Sequence, residues 1–74
     1  MEIKIFGCNA CIHCEALKNW LKSKNVPFSY LDVCEDENAA EEIVKKTGKI
    51  AIPVTEINGK VIIGFNKEAI EKEL

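Results

Sequence analysis

Polar and apolar residues alternate at the start of the chain, through Glu2-Ile3-Lys4-Ile5-Phe6, with the period of a half-buried strand. Gly7 and Asn9 follow with turn chemistry, so this strand runs into a short loop. From Ile12 the period lengthens: Cys14, Leu17 and Leu21, flanked by Ala16 and Trp20, recur three and four residues apart on one face of a helix. Lys22, Lys24 and Asn25 suit its negative end, and Pro27 cannot continue it. Phe28-Ser29-Tyr30-Leu31-Asp32-Val33 returns to the composition of a strand. Strand, helix and strand within about thirty residues predict a right-handed parallel crossover unit.

The second half opens with Asp36-Glu37-Asn38, an acidic helix start, followed by Ala39, Ala40, Ile43 and Val44 on the predicted inner face, then Lys45, Lys46 and a terminating Gly48. Pro53-Val54-Thr55-Glu56-Ile57 and Lys60-Val61-Ile62-Ile63 flank Asn58-Gly59, two residues that tolerate positive φ and so predict a tight antiparallel hairpin. Gly64 ends the hairpin and Asn66 can cap a last short helix, Lys67 to Leu74, with Ile70 and Leu74 predicted to face inward. At that length the helix must dock to be stable. The string is βαβ-α-ββ-α, read as one α/β domain over residues 1–74.

Composition sets limits on what such a domain can do. With 74 residues the chain buries only about 60% of its unfolded surface, which excludes a large enzyme with a deep pocket of its own. Apolar residues make up 47% and charged residues 30%, the balance of a folded chain rather than a disordered one. A net charge of −2 and scattered lysines lack the basic patch of a nucleic-acid binder. The apolar runs Ile50 to Val54 and Val61 to Ile63 fall far short of the roughly 20 residues of a membrane span. Met1-Glu2-Ile3-Lys4 does not resemble a signal peptide, so the expectation is a cytoplasmic monomer with neither nucleic acid nor membrane as partner.

The chemistry is in the cysteines. Four in 74 residues is about 5%, below the ~8–10% of a disulfide-stapled secreted scaffold. Three of them, Cys8, Cys11 and Cys14, lie within seven residues, and the fourth is Cys34. In a reducing compartment such a cluster reads as redox-active or metal-binding rather than structural. Two overlapping Cys-x-x-Cys pairs are present, and the helix start favours the second, Cys11-Ile12-His13-Cys14. Cys11 falls where the loop ends, so free N–H groups and the helix dipole stabilise its thiolate, and Cys14 lies one turn on along the same face. Cys11 is then the nucleophile toward a disulfide and Cys14 the resolving thiol, with no bound cofactor required. The alternative is a non-catalytic module in which Cys8, Cys11, Cys14 and Cys34 present four thiolates to zinc or an iron-sulfur cluster. Outside a metal site, Cys34 reads as a small apolar residue at a strand end.

Three features together resemble the small glutaredoxins. A Cys-x-x-Cys pair follows the first strand and opens the first helix; a Pro begins the third strand in Thr47-Gly48-Lys49-Ile50-Ala51-Ile52-Pro53-Val54; and Asn58-Gly59-Lys60 leads to Gly64-Phe65 before the last helix. The resemblance spans nearly the whole chain. It implies the thioredoxin-like fold, a four-stranded mixed sheet flanked by three helices, and disulfide reduction through Cys11 and Cys14. It also implies a cis Ile52-Pro53 bond beside the cysteines, with the Ile52 backbone offered to an extended substrate. Local rules alone would instead prefer a trans Pro53 at the start of an edge strand.

Departures from the family pattern are informative. Ile12 and His13 replace the usual Pro and Tyr between the cysteines, and an imidazolium beside Cys11 favours the thiolate and hence the reduced form. Ile12 also removes a Pro that hinders cluster-bridged pairing through Cys11 in the family. Glutathione is the reductant the resemblance implies, met by Lys49 at one end and by Gly64, Phe65, Asn66 and Lys67 at the other. Asn66 stands where the family usually places an acid, and Gly64-Phe65 resembles the loop of NrdH-type redoxins, which draw electrons from thioredoxin reductase.

Overall fold

The computed structural model describes residues 2–74. Seven elements follow in the predicted order: β1 Ile3–Gly7, α1 Ile12–Ser23, β2 Ser29–Asp32, α2 Glu37–Thr47, β3 Val54–Ile57, β4 Lys60–Ile63 and α3 Lys67–Glu73. The strands form one sheet in the order β2-β1-β3-β4. β1 and β2 run parallel, while β1 with β3 and β3 with β4 are antiparallel. This is the mixed sheet with three helices that the hydrophobic pattern and the resemblance both predict.

Each helix starts on a capping side chain, and α2 stops on a glycine. The Asp36 carboxylate accepts from the Asn38 and Ala39 amides at 2.9 and 3.3 Å, satisfying two donors that the first turn leaves free. Gly48, at φ 82°, closes α2 in the left-handed region and donates to the Val44 carbonyl at 2.7 Å. Asn66 caps α3 by accepting from the Ala69 amide at 3.1 Å. The hairpin turns at Asn58 and Gly59, both at positive φ, as a two-residue turn with that sequence requires.

Alternation along β1 divides the core into two layers. Ile3 and Ile5 face Leu17 and Leu21 of α1 and Ile70 of α3, with Ile57 from β3. Phe6 faces the opposite way, into a cluster with Val33, Ala39, Ile43 and Val54 under α2. Glu42 and Lys46 tie α2 to the sheet: Lys46 bridges Glu42 at 2.8 Å and also pairs with Glu56 on β3, and Lys4 approaches Glu42 at 3.5 Å.

Three expectations are corrected. Leu74 is 41% exposed, because α3 ends at Glu73 and its inward turn is spent on Ile70. Val44 is 40% exposed: α2 meets the sheet along a narrow stripe through Ala39 and Ile43, and Val44 lies at its edge. Pro53 does not start an edge strand. β3 lies between β1 and β4, Pro53 precedes its ladder, and the Ile52-Pro53 bond is cis, as the resemblance implies.

The seven-residue α3 depends on docking through Ile70, which is fully buried. Ile70→Ala is expected to cost roughly 2–5 kcal/mol, read as a fall in the urea midpoint at unchanged m-value. A loss below about 0.5 kcal/mol, the scale of a surface substitution, would show that α3 is held by other contacts.

Candidate active site

Strand register gathers the functional segments at one end of the sheet. Gly7 lies opposite Asp32, Phe6 opposite Val54, and Val54 opposite Ile63. The Cys8 loop, the start of α1, Pro53 and Gly64 therefore meet there, and the Gly64 amide donates to the Pro53 carbonyl at 2.7 Å.

Cys11 is the N-cap of α1, in extended conformation at φ −100° and ψ 116°. Its sulfur accepts from the Cys14 amide at 3.2 Å, and its carbonyl accepts from the Glu15 amide at 3.1 Å. The preceding turn is closed by the Cys11 amide, which donates to the Cys8 carbonyl at 3.2 Å. A sulfur in this place takes one of the unpaired donors of the helix start, a contact that gains strength when the acceptor is charged. Cys11 is half-buried and Cys14 fully buried; both are free thiols.

Cys14 reaches this position because Gly7 has no side chain. A Cβ on Gly7 would lie 2.9 Å from Cys14 Sγ and 2.5 Å from the Tyr30 hydroxyl oxygen, closer than such atoms pack. Tyr30, on β2, donates to the Cys8 carbonyl at 3.1 Å, and Lys18 of α1 sits 4.2 Å from its ring centroid. Burial pushes the Cys14 thiol up to about 11, and the neighbouring Cys11 sulfur adds to the rise; the Cys8 backbone and the Tyr30 hydroxyl offset part of it. Burial, with Cys14 next, also raises Tyr30 above the usual phenol range, so it remains a donor.

The other two cysteines are joined to each other. Cys8 and Cys34 form a disulfide with their Cα atoms 5.7 Å apart, across 26 residues of sequence. This corrects two expectations. Cys34 is exposed rather than a small apolar plug, and the four-thiolate metal reading loses two of its sulfurs to one another. Asp32 lies against this bond: one of its oxygens accepts from the Cys34 and Glu35 amides at 2.8 and 3.2 Å. The other, Oδ2, is buried with no partner, and a carboxylate oxygen of Asp32 is within 4.8 Å of both sulfurs.

The remaining candidates are spread around this end. Ile12 is 83% exposed beside Cys11, and His13 is exposed on the first turn. An open groove of about 310 Å³ at Cys11 is lined by Asn9, Ala10, Ile12 and Glu15. Ile52 is partly exposed and Pro53 buried, with Lys49 exposed in the segment leading to them. Phe65 packs edge-on against Trp20, with ring centroids 5.8 Å apart, and so serves the core at least as much as the surface. Sequence reasoning missed Tyr30, Asp32 and the Cys8–Cys34 bond. The signal was present in the crossover itself, since parallel neighbouring strands end together and a cysteine follows each.

A free Cys-x-x-Cys at a helix start, packed on the bare backbone of the first strand of a thioredoxin-like fold, defines a thiol redox protein. The glutaredoxin family model matches residues 3–62, and the chain belongs to that family. It is 39% identical to a glutaredoxin-like 8.6 kDa protein in the rubredoxin operon of Clostridium pasteurianum, over 95% of this chain and 93% of that one. It is 33% identical to the N-acetyl-S-hydroxy-L-cysteine reductase of Bacillus subtilis, over 96% of this chain and 77% of the relative. Among solved structures it is similar to NrdH-redoxin from Escherichia coli, a glutaredoxin-like protein with a thioredoxin-like activity profile. There the TM-score is 0.85 at 26% identity, covering 97% of this chain and 93% of the other.

With Cys14 raised to about 11, its thiolate fraction falls about tenfold for each pH unit below that value. Iodoacetamide at about pH 8 is expected to label Cys11 in the native protein and leave Cys14 unmodified, as read by peptide mass spectrometry. Equal labelling of the two would overturn the assignment of Cys14 as the buried, protonated thiol.

Proposed function

We propose that this protein is a disulfide reductase in which Cys11 is the nucleophile and Cys14 resolves the intermediate. The observation that carries the reading is the asymmetry of the pair: Cys11 is accessible, with a backbone donor on its sulfur, whereas Cys14 is buried and holds its proton. Cys11 thiolate attacks one sulfur of a substrate disulfide and expels the other as a thiolate. Cys14 then attacks Cys11 Sγ, its proton passing to the departing thiol, and the protein is left with a Cys11–Cys14 disulfide. A small S-hydroxy-cysteine, the substrate class in the name of the Bacillus subtilis relative, would enter the same cycle. Cys11 displaces hydroxide from its sulfur and forms the same mixed disulfide.

Ile12, Ile52 and Pro53 are assigned to the substrate chain, with the exposed Ile12 and Ile52 supplying apolar contact beside Cys11. His13, exposed next to the pair, favours the thiolates and therefore the reduced couple when charged. Cys11→Ser should abolish reduction of a small disulfide, and Cys14→Ser should accumulate a mixed disulfide visible by intact mass. His13→Tyr should retain both sulfurs and turnover while lowering the reduction potential, by about 30 mV for each ~1.4 kcal/mol of lost stabilisation. Full turnover by Cys11→Ser would overturn the scheme, and an unchanged potential would remove His13 from it.

For the electron donor, Asn66 supports a thioredoxin-reductase-type flavoprotein over glutathione. Its side-chain oxygen is spent on the Ala69 amide, and it carries no charge to pair with the γ-glutamyl ammonium, leaving Lys49, Gly64 and Phe65 to meet the rest of the peptide. Turnover should be several-fold faster with thioredoxin reductase than with glutathione and glutathione reductase. Asn66→Asp, which keeps the cap and adds an ion pair of about 0–1 kcal/mol, should raise glutathione-dependent turnover by a few-fold through KM. A wild type saturated by low glutathione would reverse this assignment.

A further inference from the structure

We infer that the Cys8–Cys34 disulfide is a second redox couple, exchanging electrons with Cys11 and Cys14 inside one chain, so that the protein carries four reducing equivalents. The inference rests on the assignment of Cys11 as nucleophile. Three independent features of the fold support it.

The first is reach. Cys8 and Cys11 are the first and last residues of a turn closed by a 3.2 Å hydrogen bond from the Cys11 amide to the Cys8 carbonyl. Such a turn holds its end Cα atoms within about 7 Å, near the upper limit of the 4.4–6.8 Å range that a disulfide spans. Cys11 and Cys14 are related in the same i, i+3 way, by the bond from the Cys14 amide to Cys11 Sγ. Cys8, Cys11 and Cys14 thus follow one another at i, i+3 spacing, and the middle cysteine lies one hydrogen-bonded turn from each neighbour.

The second is reversibility. The sheet brings Cys8 and Cys34 together independently of their bond: Gly7 pairs with Asp32, and the Val33 amide donates to the Gly7 carbonyl at 2.9 Å. Opening the disulfide leaves this ladder intact, so both thiols stay poised to close again. Cys34 is exposed and Cys8 half-buried, which leaves the bond open to attack, unlike an inert buried staple.

The third is Asp32. Its Oδ2 is buried without a donor while the sulfurs are oxidised, and a carboxylate oxygen of the same residue lies within 4.8 Å of both sulfurs. A thiol formed there has an S–H to give it. Reduction of the bond therefore satisfies an acceptor that oxidation leaves unpaired.

The exchange is balanced within the chain. Cys11 thiolate attacks Cys8 Sγ; the Cys8–Cys34 bond breaks, a Cys8–Cys11 bond forms, and Cys34 leaves as a thiolate and takes up the proton that Cys11 gave up. Cys14 then attacks Cys11 Sγ, the Cys8–Cys11 bond breaks, and Cys8 takes the proton of Cys14. Two electrons and two protons pass from the Cys11, Cys14 dithiol to Cys8 and Cys34, and the Cys11–Cys14 disulfide that results is open to renewed reduction from outside.

The test follows the time course of reduction of the fully oxidised protein by excess dithiothreitol, with acid quenching, alkylation and assignment of each thiol by peptide mass spectrometry. Cys34 is expected to be freed at least tenfold faster in the wild type than in Cys11→Ser, with four thiols at completion and far-ultraviolet circular dichroism unchanged. The Cys8→Ser, Cys34→Ser double variant reports Cys11 alone and should still reduce bis(2-hydroxyethyl) disulfide. Equal rates of Cys34 release in wild type and Cys11→Ser, with the double variant active, would overturn the exchange and leave the catalytic assignment standing. A Cys11 that attacks neither the small disulfide nor the Cys8–Cys34 bond would overturn both.

Discussion

The close approach of Cys14 and Tyr30 to the backbone of Gly7 is the contact on which the rest of the site depends. With no Cβ on Gly7, the first turn of α1 can settle onto the end of β1 from one side while the Tyr30 ring comes in from β2. Cys14 is thereby buried, Cys11 is left at the helix start with a backbone donor on its sulfur, and the Cys8 carbonyl is held by the Tyr30 hydroxyl. One missing side chain sets the depth of one thiol and the exposure of the other. Two cysteines of identical chemistry acquire different surroundings from that difference in depth.

Much of this was legible because local chemistry and the global fold agree. Asp36, Gly48, Asn58-Gly59 and Asn66 each stand at the turn or cap that the residue type favours. Cys11 could be placed at the start of α1 because the apolar period changes at Ile12. What local rules could not supply was the order of strands. That order makes β3 an interior strand, so Pro53 lies ahead of a ladder rather than at an edge, and it brings Cys34 beside Cys8. Val44 and Leu74 were misplaced for a related reason: helical periodicity marks an apolar arc, but the surface beneath a short helix decides how much of the arc is covered.

The site is polar only where it must be. Tyr30 and Cys14 both favour their protonated forms because burial penalises charge, so neither adds a negative charge beside Cys11 at neutral pH. Asp32 lies instead close to the Cys8–Cys34 sulfurs, with one oxygen anchored by two amides and the other without a donor. The two cysteine pairs consequently sit in different electrostatic surroundings although a single turn separates them.

The order β2-β1-β3-β4 also leaves β4 as an outer strand, with Val61 37% and Ile63 52% exposed. Two β-branched residues on an open edge invite a second chain to add its own strand. Here the invitation is brief. β4 has four residues, begins with the charged Lys60, whose ammonium is bridged to Glu73 at 3.0 Å, and is followed by Gly64, which at φ 84° donates to the Pro53 carbonyl. Self-assembly through this edge would gain only a few ladder hydrogen bonds, so the same turn that carries Gly64 to the Pro53 carbonyl also limits the sheet's growth.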